Sequence, residues 1–192
     1  KRLLTTLQAP VGIINELFVP HDRGQIVTHL EGSNVVHVWS LGDAIGHVGT
    51  LDRLTTSIID VKFTADDSLA YVRCEDSDEL GVMDMATGQL VDLLTHESPV
   101  ESYSISASGE YALVSLKSAR GGAYNKIWHT AGRKILHEFG NCIAYSVPLV
   151  NEDCMIAVLQ EEPAFKAPYK IMQFKLCDGS YEEMTYDTMV DY

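Results

Sequence analysis

Apolar and polar residues alternate in short runs along most of this chain, most clearly between Thr55 and Leu94. Ile58-Ile59-Asp60-Val61-Lys62-Phe63 leads into the turn-rich Thr64-Ala65-Asp66-Asp67-Ser68. A second run, Leu69 to Cys74, stops at the acidic Glu75-Asp76-Ser77-Asp78-Glu79. A third, Leu80 to Met85, ends at Ala86-Thr87-Gly88, and a fourth, Gln89 to Leu94, closes the module. Apolar spacing of period two between Asp, Ser and Gly turns predicts a four-stranded antiparallel meander.

The module recurs. The aromatic or Met residue that marks the third strand falls at Trp39, Met83, Trp128 and Phe174, at intervals of 44, 45 and 46 residues. The second strand starts at Gln25, Leu69, Tyr111 and Met155, at intervals of 44, 42 and 44 residues. A polar turn precedes each of those starts: Pro20-His21-Asp22-Arg23-Gly24, Ala65-Asp66-Asp67-Ser68, Ala107-Ser108-Gly109 and Asn151-Glu152-Asp153. Three landmarks in phase over four copies fit a propeller blade, whose repeat runs to about 40 to 45 residues.

The copies occupy about residues 9–53, 54–96, 97–140 and 141–186. Lys1-Arg2-Leu3-Leu4-Thr5-Thr6-Leu7 matches Gln89 to Leu94 and Lys134 to Phe139, so residues 1–8 are expected to be the last strand of a preceding blade. Four blades and a stray strand fit part of a larger ring better than a closed one. The expectation is an all-β chain, a partial β-propeller whose open blade ends favour self-association.

Val35-Val36-His37-Val38-Trp39-Ser40 resembles the third strand of a WD-repeat blade. Val82-Met83-Asp84-Met85-Ala86-Thr87-Gly88 keeps the Asp of that pair with its Thr-Gly, while Lys126-Ile127-Trp128-His129-Thr130-Ala131-Gly132 keeps the Trp and Gly but not the Asp. The usual Gly-His ahead of the first strand is missing, with only His96 in a similar place. The Asp expected about six residues before the Trp is Ser33, Ser77 or Gly122. Without those partners the buried His-Asp network of better-preserved blades is not expected, and packing has to hold each blade. Divergent blades of this kind are similar to those that follow the nucleotide-binding module in NACHT-and-WD-repeat signalling ATPases. The resemblance implies a non-catalytic scaffold binding a protein partner or another domain of its own parent chain, in the narrower case a sensor that restrains oligomerisation.

The formal net charge of −13 opposes nucleic-acid binding, because a phosphate backbone would be repelled where it is usually attracted. With 46% hydrophobic residues the chain can bury a sizeable core, yet it has no apolar run of the roughly 18 residues needed to cross a bilayer, so no membrane partner is expected. Cys74, Cys142, Cys154 and Cys177 form no CxxC pair and share no spacing between copies, which argues against a disulfide framework or a zinc site. No Asn-x-Ser/Thr acceptor and no signal-peptide pattern occur, and a cytoplasmic location is expected.

Candidate chemistry is sparse. His29 and His37 flank the turn Glu31-Gly32-Ser33-Asn34 and are predicted to face each other across two strands, a pair more simply structural. His21-Asp22 belongs to a surface turn, where Asp bonds local amides. No Gly-x-Ser-x-Gly elbow accompanies Ser102, Tyr103, Ser104 and Ser106. The acidic run 75–79 lacks the Gly and terminal Glu of a hand-type calcium loop, and Ala119-Arg120-Gly121-Gly122-Ala123 lacks the Lys of a phosphate loop. Two longer loops, Lys117 to Asn125 and Glu161 to Tyr169, join second to third strands in neighbouring copies. Insertions in repeat arrays tend to share a binding face, so Arg120, Phe165, Lys166 and Tyr169 are the candidate protein-binding residues. No catalytic, cofactor or metal residue is assigned. The alternative, an enzyme propeller of the quinone-dependent dehydrogenase or peptidase-lid type, would need convergent His, Asp and Arg or an added α/β domain.

Overall fold

The structure, a computed structural model, describes residue 6 and residues 12–22, 24–31, 33–42, 45–54, 56–117, 123–140, 142–151, 154–161, 170–175 and 180–184. Among them every regular element is a strand. The first sheet contains β1 (Ile14–Phe18), β2 (Gln25–Leu30), β3 (Val36–Ser40) and β4 (Gly46–Leu51). The second contains β5 (Ile58–Phe63), β6 (Leu69–Cys74), β7 (Glu79–Asp84) and β8 (Gln89–Thr95). The third contains β9 (Val100–Ile105), β10 (Tyr111–Lys117), β11 (Ala123–His129) and β12 (Lys134–Phe139), and the fourth β13 (Cys142–Asn151), β14 (Cys154–Glu161), β15 (Lys170–Lys175) and β16 (Tyr181–Met184). In every sheet neighbouring strands are consecutive in the chain, so each is a meander, the sheet type of a partial β-propeller.

The chain divides into two compact units. One comprises residues 1–75 and 81–93, the other residues 76–80 and 94–192. The core of the first joins Val27, Val36, Val38 and Leu51 of the first sheet to Ile58, Val61, Ala70, Val72, Cys74, Met83 and Met85 of the second. Each large side chain removed from water there contributes about 1.5–3 kcal/mol. Middle strands are buried on both faces: in β6 Tyr71 is as buried as Ala70 and Val72, and in β7 Leu80 and Val82 are as buried as Met83. That is why these strands read as nearly continuous apolar runs, whereas β8, at a sheet edge, alternates exposed and half-buried positions. In the second unit β10 and β11 show the same double burial, and β13 lies beside β9 and β11.

Turn chemistry accounts for the breaks between strands. Asp66 Oδ1 accepts from the Thr64 hydroxyl at 2.7 Å and from the Ser68 amide and hydroxyl at 3.0 and 2.8 Å, and these bonds hold its carboxyl down to about 2. At the end of β7, Asp84 Oδ1 accepts from the Thr87 amide and hydroxyl, both at 2.8 Å, while Gly88 takes a positive φ of 68°. The third copy lacks that Asp and replaces it in kind: His129 Nδ1 accepts from the Gly132 amide at 3.1 Å. Its Nε2–H then donates to Glu110 Oε1 at 3.1 Å, so the two bonds together select one tautomer.

Some buried polar groups pair across the middle strands. The Trp39 indole donates to Thr28 Oγ1 at 2.9 Å in the first sheet, and the Ser115 hydroxyl donates to Asn125 Oδ1 at 2.6 Å in the third. Thr28→Val keeps the shape of the side chain but leaves a buried indole N–H unpaired. The variant is expected to lose about 1 kcal/mol in urea denaturation, and unchanged stability would show that the bond contributes nothing net. Asn125 also marks a departure from the sequence reading. Lys117 pairs with Ala123 and Ser115 with Asn125, so the ladder runs several residues further and the connecting segment is only 118–122.

Candidate interaction site

The first strand of the first sheet is unusual in facing solvent with large apolar side chains. Leu17 is 53% and Val19 48% exposed, with Ile13 and Ile14 exposed beside them, while Phe18 turns inward against the core. Strict alternation would put Ile14 and Leu17 on opposite faces. A bulge between Ile14 and Glu16 changes the parity, pairing Ile14 with Leu30 and Leu17 with Thr28, so that Ile14, Leu17 and Val19 line one face. The extra residue thereby gathers three apolar side chains into a single strip.

A second bulge acts on the same sheet. Val38 pairs with Gly49, but Trp39 pairs with His47, which places His47 and Thr50 on the face that carries His37 and Trp39. There His37 Nδ1 lies 3.4 Å from His47 Nε2 and 3.2 Å from Thr50 Oγ1, and Thr50 Oγ1 lies 3.0 Å from His47 Nε2. Trp39 meets the His47 ring edge to face at 5.1 Å between centroids. Burial, and secondarily the neighbouring His47, lowers the His37 pKa from its ordinary value, favouring the neutral ring.

This cluster corrects the expected histidine pair. The register sets Thr28 opposite His37 and Val36 opposite His29, so the two imidazoles point to opposite faces. His29 is buried and its Nε2–H donates to the Ser33 carbonyl at 2.5 Å, closing its own hairpin.

His21 serves the fold. Asp67, held at φ 55°, accepts from the His21 amide at 3.0 Å, the Asp22 amide at 2.7 Å and His21 Nδ1–H at 2.8 Å. Burial alone would raise the Asp67 carboxyl, but these donors hold it below the ordinary carboxylate range. Asp22 bonds its local turn as expected, accepting from the Gly24 amide at 2.7 Å. The acidic run 75–79 is a hairpin end, where Asp76 takes a positive φ of 48° and pairs with Lys117 at 3.2 Å. Ser106 caps the turn after β9, its hydroxyl accepting from the Tyr111 amide at 3.0 Å. Arg120, Phe165, Lys166 and Tyr169, together with nearly all of segment 1–8, lie outside the described residues.

In the second unit His96 is buried, with neither ring nitrogen hydrogen-bonded, and sets its ring edge to face against Trp128 at 5.3 Å. Burial first, then the charge of Lys126, presses its pKa down to about 4 against the opposing pull of Glu97 and Asp78. Lys126 is itself buried, and its ammonium reaches Glu97 at 2.6 Å and Glu138 at 3.3 Å. Burial opposes its charge, yet the two carboxylates outweigh that and raise its pKa. With both ring nitrogens without a hydrogen-bond partner and the carboxylates engaged by Lys126, this group packs the blade.

The fold is shared with known structures. A hydrazine synthase from Kuenenia stuttgartiensis matches with a TM-score of 0.60 at 13% identity, over 88% of this chain and 53% of that one. The likeness shows the fold alone. This chain spans about half the length of that structure. With 855 solved chains matching, the architecture is too widespread to point to one activity. No protein-family profile matches the chain. No curated protein matches it either.

Among the described residues no helix is long and apolar enough to cross a membrane. An open, largely polar cleft lies in the first unit, lined by Thr50, Leu51, Asp52, Arg53, Gln89 and Leu90. It brings one cation, Arg53, beside the ends of β4 and β8. The arrangement suits contact with a polar surface.

Proposed function

We propose that this chain is a non-catalytic protein-interaction scaffold, a segment of a WD-repeat-type propeller that holds a protein partner or another domain of its parent chain. The exposed apolar strip of Ile14, Leu17 and Val19 carries the reading, because burying such a strip against a partner recovers the free energy its exposure costs. The WD-type assignment draws support from the Asp84-Thr87-Gly88 turn and from His129 standing in for the missing Asp. In the narrower signalling reading, a neighbouring domain would cover the strip until a partner displaces it. The net charge of −13 favours a protein occupant over a nucleic acid.

Without its partner, the strip is expected to be covered by a second copy. Size-exclusion chromatography with light scattering should then give a mass that rises with concentration above 21.2 kDa. Leu17→Glu with Val19→Glu should return the chain to a monomer with an unchanged circular dichroism spectrum. A monomeric parent chain at every concentration, or a double variant that associates as well as the parent, would refute the docking role.

A further inference from the structure

We propose that His37, His47 and Thr50 form a binding site for a divalent transition-metal ion of the borderline class, zinc or copper(II). Three observations converge on it. The donor atoms form a nearly equilateral triangle, with edges of 3.4, 3.2 and 3.0 Å. Three ligands of a tetrahedral ion bonded at about 2.0–2.1 Å stand about 3.3 Å apart, so the triangle needs little adjustment to accept one. Both imidazole nitrogens lie within hydrogen-bonding reach of each other and of the same hydroxyl, so the three ligand atoms are gathered at one place rather than splayed apart.

The surroundings suit a ligand that comes from solvent. His37 is buried at 6% exposure and fixed within the sheet, while His47 and Thr50 are exposed and leave the outer side of the triangle open. Imidazole is the ligand that zinc and copper share, and the two rings are the primary donors here. The Thr50 hydroxyl, a weaker ligand, and solvent water complete the coordination. The bulge at β4 supports the assignment independently of the distances. Regular alternation would send Thr50 to the opposite face from His47, and the irregularity brings both to His37.

Trp39 supplies a reporter, since its ring lies 5.1 Å from that of His47. The experiment titrates the whole chain with copper(II) chloride, following tryptophan fluorescence, and with zinc chloride, following the melting temperature. One saturable ion per chain is expected, with quenching by copper and a higher melting temperature in zinc than in a chelator. His47→Phe keeps the aromatic contact with Trp39 and removes the donor, so it should weaken binding at least tenfold while folding normally. His21→Ala, at an exposed histidine outside the triangle, should bind as the parent does. The site is overturned if the parent shows no saturable binding below about 1 mM, or if His47→Phe binds within twofold of it, as it would with the ion held by cysteines.

Discussion

Gly49→Ala is expected to destabilise the first unit by about 3 kcal/mol or more. A Cβ at Gly49 would collide with the carbonyl oxygen of Thr87 and lie 2.9 Å from the Cα of Gly88. Both obstacles are backbone, which cannot rotate out of the way as a side chain would, so β4 or the β7–β8 turn has to move. The constraint is reciprocal: a Cβ at Gly88 would lie 2.7 Å from the Cα of Gly49. Gly88→Ala adds about 1 kcal/mol of left-handed backbone strain to the same clash, because φ there is +68°. Urea denaturation followed by circular dichroism and by tryptophan fluorescence measures both variants. A loss under about 0.5 kcal/mol for Gly49→Ala would mean that the β7–β8 turn does not press on β4.

Acid is expected to destabilise the chain through His96, by about 2 kcal/mol between pH 6.5 and pH 4. The unfolded imidazole takes up its proton near 6.5, whereas the buried one does so only at about 4. Between those values the unfolded state binds more protons, so stability is full above pH 6.5 and falls as the pH falls. The linked free energy for the full difference is about 3 kcal/mol, and about 2 of it falls between pH 6.5 and 4, because each state is only half-titrated at its own end of that window. His37 and His137 contribute with the same sign, since burial lowers both. Asp67 and Glu97 also lose stability in acid, but below the ordinary carboxylate range. The diagnostic quantity is therefore a difference between variants. His96→Phe keeps the edge contact with Trp128, removes two unpaired ring nitrogens, and should show the smaller loss between pH 6.5 and 4. Equal pH slopes in parent and variant would show that His96 is protonated as easily folded as unfolded.

How far the fold was legible depends on burial. β5, β6 and β12 lie where alternation placed them, at Ile58–Phe63, Leu69–Cys74 and Lys134–Phe139. β7 and β8 differ by one residue at their ends, since Glu79 joins the ladder and Thr95 extends it. The alternation and the Asp-Ser-Gly turns are local properties, and a strand bounded by such turns has few other ways to bury its apolar face. Sequence alone makes the third-copy hairpin too long, because Tyr124 and Asn125 look like loop residues by type. The pairing of Asn125 with Ser115 across β10 keeps them in the strand. His96 was recognised by position, and its missing Asp partner agrees with its two unpaired nitrogens.

The candidate sites were much less legible. The expected pair, His29 with His37, failed by one residue of register, and a shift of one residue in a strand exchanges its faces. His47, which does meet His37, carried no sequence signal because a bulge at β4 has no strong residue signature. The same holds for the strip of Ile14, Leu17 and Val19, whose spacing of three and then two residues fits no regular strand.

The sequence by itself therefore determined the four meanders, their period and their turn chemistry, because each depends on neighbours a few residues apart. Only the tertiary structure decided which side chains share a face across a bulge, and that Gly49 and Gly88 touch. Those outcomes depend on where backbones from distant copies come to rest, and period-two alternation carries no record of that.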